Sequence, residues 1–301
     1  MFVIIYRKIF YTISIVLITL SITSVAVWGI NFGIDFTGGS ILEINFVEDR
    51  IEKSELTEKL NSLALGREFS IRETGETGYI LKSRTIDNDE KELILSTISE
   101  NRDLIQEIRF NNVGPTLGDE LRGKALISML VVILAIVLFI AIAFSQVSKP
   151  ISSWKYGLVA IITFLHDVIV PIGLFSVLGR FYGVEVDTLF VIAILVVLGY
   201  SINDTIIIFD RIRENLKDLP EKIRKEKFEE VVGKSLRQTF SRAISTSITT
   251  IIMLLALFVY GGESTKWFSL ALIAGIAVGT YSSIFFAAPM LVTIGKISKN
   301  K

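Results

Sequence analysis

The sequence predicts an all-α polytopic membrane protein with six transmembrane helices and one inserted α+β domain. Of the 301 residues, 51% are hydrophobic, and the mean hydropathy is +0.57. The apolar residues gather into blocks, each long enough to cross a hydrocarbon core about 30 Å thick. One long polar stretch separates the first block from the second. The six predicted helices are 9–30, 125–144, 157–178, 188–209, 243–260 and 267–294.

Charge and cysteine content exclude several classes of protein. The 31 basic and 31 acidic residues cancel, so the net charge gives no indication of a nucleic-acid partner. The absence of cysteine excludes disulfides, thiolate metal sites and cysteine nucleophiles, and we predict no metal site. No small-x-small cleavage site follows the first apolar block, so we expect a retained helix rather than a signal peptide.

The basic residues near the helix ends predict the orientation. They are concentrated in one set of connections: Arg7, Lys8, Lys149, Lys155, the basic residues of 210–242, Lys296, Lys299 and Lys301. The opposite short connections hold only Arg180 and Lys266. Because basic residues collect on the cytoplasmic side, we expect both termini in the cytoplasm and the long polar stretch outside. The predicted parts are 1–30, the extracytoplasmic domain 31–124, 125–209, the cytoplasmic segment 210–242, and 243–301.

The extracytoplasmic segment has the periodicity of a small α+β domain. Strand-like alternation and helix-like spacing follow in the order βαββαβ, over residues 40–47, 53–65, 70–76, 79–85, 87–101 and 104–110. This order is typical of a ferredoxin-like split unit. The segment has neither histidine nor cysteine, and its carboxylates are scattered. We therefore expect contact with another protein rather than a chemical active site.

Residues 215–239 have the spacing of an amphipathic helix on the cytoplasmic side. The apolar positions are Phe228, Val231, Val232 and Leu236. Such a helix commonly lies on the membrane interface, and docking to a partner is the alternative.

Asp204 lies well inside the fourth predicted helix, because four more apolar residues, 206–209, follow it. A charge at the centre of a bilayer costs about 2.5–3.5 kcal/mol on insertion scales, so such a residue is a functional candidate. The adjoining side chains are polar enough to line an interior or a wet crevice: Tyr200, Ser201, Asn203 and Thr205. We expect Gly199 to allow close contact between helices there.

Arg242 opens the fifth predicted helix and begins a stripe of hydroxyl side chains. Thr246, Thr249 and Thr250 fall on its face at helical spacing. We expect Asp204 to meet Arg242 or this stripe across the helix interface. In the alternative, Arg242 only extends its charge to the cytoplasmic boundary, and Asp204 is a buried, hydrogen-bonded structural carboxylate.

His166 and Asp167 form a third polar site, near the middle of the third predicted helix. His166 is the single histidine of the chain, and Pro171 follows four residues after Asp167. Proline removes a backbone donor and so frees the carbonyl of Asp167 for other partners. A proton relay and a structural polar pair packed against the fourth helix are both consistent with the sequence.

Three motifs resemble those of a known family. Gly33-Ile-Asp35-Phe-Thr-Gly38-Gly39 follows the first helix. The outer segment ends in Val113-Gly114-Pro115, followed by Gly118-Asp-Glu-Leu121. The most specific motif runs from Gly199 through Asp210 and Arg211 to Asn215. On these motifs the chain resembles, over its whole length, the SecF family. These are the smaller subunits of the bacterial SecD–SecF protein-export complexes, related to the resistance-nodulation-division transporters.

The resemblance implies a function and roles for two residues. Such subunits use the proton-motive force to assist and complete Sec-dependent export of polypeptides. Asp204 would correspond to the proton-handling aspartate of the family, and Arg242 to the arginine that opens the next helix. The implied partners are a SecD-like subunit, the Sec translocation channel, unfolded exported polypeptides and membrane lipids. Protons would be the coupling ion without any cofactor, and the location would be the bacterial cytoplasmic membrane.

Two other functions compete with this interpretation. One is a proton-driven exporter of small molecules or lipids from the same superfamily, although such exporters usually carry larger outer domains and two six-helix halves. The other is a scaffold that only holds a translocon together. A scaffold has no evident need for a carboxylate such as Asp204 inside a membrane helix.

Overall fold

The computed structural model describes residues 2–47, 50–63, 69–98, 104–143, 153–224 and 226–297. The elements in chain order are α1 (Phe2–Ile5), α2 (Arg7–Trp28), α3 (Ile34–Thr37), β1 (Gly39–Phe46), α4 (Lys53–Ser62), β2 (Ser70–Thr74), β3 (Gly78–Ser83), α5 (Asn88–Ile98), β4 (Ile105–Val113), α6 (Pro115–Ala143), α7 (Ser153–Tyr182), α8 (Thr188–Lys217), α9 (Glu221–Arg224), α10 (Phe228–Tyr260), α11 (Glu263–Tyr281), a π-helical segment (Ser282–Ala287) and α12 (Ala288–Ile297).

The chain divides into two compact units, a helical unit of Met1–Asn31 with Ile127–Lys301 and a smaller unit of Phe32–Leu126. The described residues contain six helical spans long and apolar enough to cross a membrane, as predicted. These spans are α2, α6, α7, α8, α10 and the continuous run of α11, the π-helical segment and α12. Phe144, the predicted end of the second helix, lies outside the described residues.

Two of the spans are longer than their apolar blocks. α8 continues without a break past residue 209 to Lys217, and α10 begins at Phe228, well before residue 243. The two extensions pack on one another. Asn215 of α8 donates 2.8 Å hydrogen bonds to Ser235 and Gln238 of α10.

The prediction that a helix within 215–239 lies on the membrane interface is therefore wrong. Its apolar side chains lie in the core of the helical unit, with Ile212 and Leu216 of α8. They are Phe228, Val231, Val232 and Leu236, all at most 6% exposed. The apolar stripe that the sequence shows is covered by the neighbouring helix of the same chain rather than by lipid.

Small residues set the closest helix contacts in the helical unit. A Cβ atom at Gly275 of α11 would lie 2.3 Å from the Val197 side chain on α8, and one at Gly279 would lie 3.0 Å from Ser201. On α7, a Cβ at Gly173 would lie 2.3 Å from Ser21. Within membranes, helices associate largely through such close packing, because lipid is as apolar as the side chains. α8 is thereby held against α11.

The smaller unit is built around a four-stranded antiparallel sheet with the strand order β2-β3-β1-β4. Its element order, βαββαβ from β1 to β4, is the one that the sequence predicted. Alternate residues of β1, among them Leu42 and Ile44, share a buried core with Leu56 and Leu60 of α4 and with side chains of α5. The period-two alternation of the strand thus assigns one sheet face to the helices.

Candidate functional site in the membrane helices

Asp204 lies near the middle of α8 and is only 4% exposed. Its Oδ2 atom is buried and has no hydrogen-bond partner among the described residues. A buried polar atom without a partner is costly, and a charged one costs more. Among the described residues, Asp204 thus lacks the full set of hydrogen bonds that the structural alternative expects.

Arg242, on the neighbouring helix α10, is exposed in the isolated chain. Its guanidinium lies close enough to act electrostatically on Asp204. Within the described part of the chain, however, no ion pair at 4.0 Å or less joins the two. The expected meeting of Asp204 and Arg242 is therefore not a direct contact in the described structure.

The hydroxyl stripe below Arg242 does not reach Asp204. Thr246 donates to the Arg242 carbonyl at 2.6 Å, and Thr249 donates to carbonyls of Ser245 and Thr246. Both threonines are exposed. The expectation that Asp204 meets this stripe is wrong, because a threonine in a helix readily bonds a carbonyl of its own preceding turn. The buried Ser247 faces the bundle instead.

The polar residues around Asp204 divide between two faces of α8. Ser201 and Thr205 are buried, whereas Asn203 is exposed and Tyr200 is half-buried, with its hydroxyl 3.5 Å from Ser247 of α10. Gly199 is also exposed, and a Cβ there would meet nothing within 4 Å. The expected close contact at Gly199 is therefore not made within the described part of this chain.

His166 and Asp167 lie fully buried on α7. His166 Nδ1 is 2.9 Å from Asp167 Oδ1. Asp167 Oδ2 accepts hydrogen bonds from Ser201 of α8 at 2.5 Å and from Ser282 of the π-helical segment at 2.9 Å. His166 Nε2 is buried without a partner among the described residues. The pair packs against α8, and one of its two ring nitrogens is left open.

The hydroxyl groups of the sixth span were missed by the sequence reading. Ser283 lies 2.8 Å from Thr205, and Thr280 lies 2.6 Å from Ser247, so both helices flanking the site are bonded to this span. The available signal was the unusual run Thr280-Tyr-Ser-Ser283 inside an apolar segment. This run ends α11 and begins the π-helical segment, a rare form often found at functional sites.

Asp210 and Arg211, at the end of the longest motif, lie beyond the apolar part of α8. Asp210 pairs with Arg213 at 2.6 Å. Arg211 donates to Gln238 of α10 at 2.8 Å and pairs with Glu214 at 2.5 Å. The Arg211–Gln238 bond joins the extensions of α8 and α10, whereas the two ion pairs lie within α8.

The two glycine motifs come together in the smaller unit. Gly33 precedes α3, which contains Asp35, and Gly38 and Gly39 end it with φ values of +72° and +128°. A Cβ at Gly39 would lie 2.7 Å from the carbonyl oxygen of Ser83.

Gly38 contacts the second of these motifs. A Cβ at Gly38 would lie 3.1 Å from Cα of Pro115, and one at Gly118 would lie 2.9 Å from the Gly38 nitrogen. Gly114, between strand and helix, has open space around it. The motifs thus form one tight junction where β1 begins and β4 ends, because Gly39 pairs with Val113 in the sheet.

Two family models match this chain. The model of the protein export membrane protein SecD/SecF, C-terminal, matches residues 94–297, and the SecD/SecF GG motif model matches residues 24–49. The chain belongs to the SecD/SecF family. The GG motif match includes Gly38 and Gly39 of the junction, and the C-terminal match includes Asp204, Arg242 and the His166–Asp167 pair.

Three similar proteins within the SecD/SecF family are SecF subunits. The protein translocase subunit SecF of Thermobaculum terrenum is 39% identical over 300 residues, covering 96% of this chain and 92% of the relative. That of Anaerolinea thermophila is 36% identical, with coverages of 95% and 91%, and that of Haemophilus influenzae is 35% identical, with coverages of 96% and 84%. The chain is therefore a multi-pass membrane subunit of the SecF type, a transport component.

Two solved structures share the SecD/SecF architecture. SecDF from Thermus thermophilus, described as a translocon-associated membrane protein, matches 99% of this chain with a TM-score of 0.80 and 29% identity. SecDF in a super-membrane-facing form matches 98% with a TM-score of 0.66 and 31% identity. This chain spans 38% of the length of each of those SecDF chains.

Proposed function

We propose that this chain, together with a SecD-like partner chain, couples proton entry to the export of unfolded polypeptides through the Sec channel. Asp204 is the group that takes up and releases the proton, and Arg242 controls that exchange. The proton is the coupling ion, and no cofactor takes part. The setting is the bacterial cytoplasmic membrane, with both termini in the cytoplasm, an orientation supported by the distribution of lysine and arginine.

The unpartnered carboxylate oxygen of Asp204 is the observation that carries this proposal. A structural carboxylate in a membrane bundle is expected to have its oxygens hydrogen-bonded. Asp204 Oδ2 is buried without such a partner. Protonation would neutralise this carboxylate, and deprotonation would leave a charge that only a cation or water can stabilise. Asp204 therefore has two states with different packing requirements, as a coupling residue needs.

Arg242 is the cation available on the adjacent helix. In the described structure it lies within electrostatic range of Asp204 but is not paired with it. A movement of α10 along α8 that brought Arg242 onto Asp204 would form the ion pair and expel the proton, and the reverse movement would allow the proton to return. The membrane potential supplies about 2.3 kcal/mol per charge per 100 mV for such a step.

Exposed residues on α8 and α10 support the proposal that a second membrane protein binds there. Ile192, Val196, Gly199 and Asn203 form an exposed helical stripe along α8, and Arg242 is exposed on α10. The hydrocarbon of lipid offers no hydrogen-bond partner to an asparagine, whereas polar side chains of a second helical bundle can bond both Asn203 and Arg242. The SecDF chains are much longer than the part that this chain matches, which leaves room for a separate SecD-like chain.

The smaller unit is the part that would handle the polypeptide. We infer that it is a ferredoxin-like module on the extracytoplasmic side, since its element order and its strand order β2-β3-β1-β4 agree with that fold. Protonation at Asp204 would bias the helical unit between two packings, and this module would follow.

Export in living cells tests the proposal. In cells whose only copy is Asp204→Asn, the part of secretion that depends on the proton gradient should be lost, while abundance and partner binding stay normal. Asp218→Asn makes the same chemical change at an exposed position at the end of α8 and should secrete normally. Normal secretion with Asp204→Asn would leave the scaffold function as the better explanation.

A further inference from the structure

The His166–Asp167 pair has the geometry of a proton-binding site distinct from Asp204. Both side chains are fully buried, and the acid is held from three elements: by His166 on α7, Ser201 on α8 and Ser282 on the π-helical segment. Both carboxylate oxygens of Asp167 therefore have hydrogen-bond partners. The remaining buried polar atom without a partner at this site is Nε2 of His166.

The chemistry of the pair follows from that arrangement. With Asp167 ionised, the hydrogen between the two side chains lies on His166 Nδ1, which leaves Nε2 as an acceptor. The pair then carries a net charge of −1. One proton added at Nε2 makes a histidinium–aspartate pair with no net charge, a form better suited to a membrane interior.

Aromatic side chains pack against His166. Its ring stacks on Phe286 of the π-helical segment and on Tyr281 of α11, with centroid separations of 5.6 Å and 6.2 Å. The titratable groups on the surrounding elements include Tyr281, Tyr11 of α2, which packs on Phe286, and Tyr200 and Asp204 of α8. The cations of α2, Arg7 and Lys8, are its first two residues, and Arg7 pairs with Glu229 of α10 at 2.8 Å. Among the described residues no lysine or arginine forms an ion pair with Asp167.

The same hydrogen bonds connect the pair to α8. Ser201 lies one turn before Asp204, and Thr205, the residue after Asp204, bonds Ser283 at 2.8 Å. Ser283 also donates to the Ser201 carbonyl at 3.4 Å. These contacts fix the rotation of α8 about its axis. A change in the net charge of the His166–Asp167 pair therefore acts on the helix that carries Asp204, through the Ser201 hydrogen bond.

We propose that His166 and Asp167 form a second proton-binding site in the helical unit, and that Ser201 and Ser282 transmit its occupancy to α8. The site adds to the proposed role of Asp204 and rests on the proposed function only for its consequence in export. Proton binding itself is independent of that function.

The single histidine of the chain allows a direct test. The full chain, labelled with ¹⁵N-histidine and purified through a histidine-free tag, is placed in lipid bilayers, and the ring nitrogens are followed by solid-state NMR. As the pH is lowered from about 8 to about 5, Nε2 should change from an unprotonated to a protonated nitrogen, while Nδ1 stays protonated. A ring that keeps one protonation state throughout overturns the proposal.

Variants test the transmission and separate it from the role of Asp204. Ser201→Ala removes the 2.5 Å hydrogen bond to Asp167 and should move the midpoint of the His166 titration. Ser269→Ala removes a buried hydroxyl that donates to the Thr265 carbonyl of its own helix and should not. An unchanged midpoint in Ser201→Ala contradicts the transmission.

Asp204→Asn should preserve a titrating His166, even if export is lost. If His166 titrates but Asp204→Asn exports normally, the second site stands and the proposed function fails. If Asp204→Asn instead abolishes the titration of His166, the two are one site and the inference is wrong.

Discussion

Asp204 lies within electrostatic reach of the Arg242 guanidinium, yet no ion pair at 4.0 Å or less joins them in the described structure. The acid is buried in α8, and the base is exposed on α10. A carboxylic acid with a cation nearby can release its proton and then, as a carboxylate, form an ion pair with that cation. Charge and shape at position 242 should therefore affect coupling separately.

Arg242→Lys should keep part of the gradient-dependent export, and Arg242→Gln should lose it. Lysine retains the positive charge but not the planar fork of donors that binds a carboxylate in two places. Secretion of a reporter protein, measured with and without a proton gradient, gives the gradient-dependent part of export for each variant. Lys234→Gln removes an exposed charge from the same helix and should have no effect. Equal export by all three variants would exclude a role for the charge.

Gly199→Leu should weaken binding of the SecD-like partner without destabilising this chain. A Cβ at Gly199 meets nothing within 4 Å, so the larger side chain costs little within the chain itself. It would obstruct a helix packed on the exposed stripe of α8. Copurification in mild detergent measures how much of the SecD-like partner remains bound.

The control for this substitution adds bulk elsewhere. Thr19→Leu enlarges an exposed position of α2 and should copurify as wild type. Full recovery of the partner with Gly199→Leu would place the partner on another face of the bundle.

Gly39→Ala should destabilise the smaller unit by about 1–3 kcal/mol, the usual cost of a strained backbone conformation. The residue has φ of +128°, and a Cβ would lie 2.7 Å from the Ser83 carbonyl oxygen. Hydrogen–deuterium exchange should become faster in β1 and β3. Gly114→Ala, at a glycine with open space and no positive φ, is the matched control. Unchanged protection in Gly39→Ala would show that the junction tolerates a side chain.

Single cysteines should report the predicted orientation, because the natural chain has none. Ser62→Cys, exposed on α4, should react in intact cells with a reagent that does not cross membranes. Lys234→Cys, exposed on α10, should react only after the membrane is opened. Labelling of Lys234→Cys in intact cells would reverse the orientation.

The membrane spans could be predicted from the sequence because bilayer thickness fixes their length, but their ends could not. The charged segment after residue 209 is also compatible with a helix, so α8 continues to Lys217 and α10 begins at Phe228. The apolar side chains of these two extensions are buried against each other. Asp204 could be located because a membrane excludes charge.

The partners of Asp167 could not be found in the same way. A serine in an apolar span bonds its own helix or a neighbouring one according to the rotation of that helix, and the π-helical segment at Ser282 alters this rotation. The sequence also could not show which glycines make close helix contacts: Gly275 packs on Val197, whereas Gly199 faces outward.

Proton entry into proteoliposomes that hold the complete complex, with a polypeptide in transit, tests the role of Asp204 most directly. An internal pH dye should report entry driven by an imposed gradient for the wild type and for Asp218→Asn, and no entry above background for Asp204→Asn. The reason is that asparagine keeps the shape of the side chain but cannot carry a proton. Equal proton entry for Asp204→Asn and the wild type, at equal amounts of assembled complex, would contradict the account.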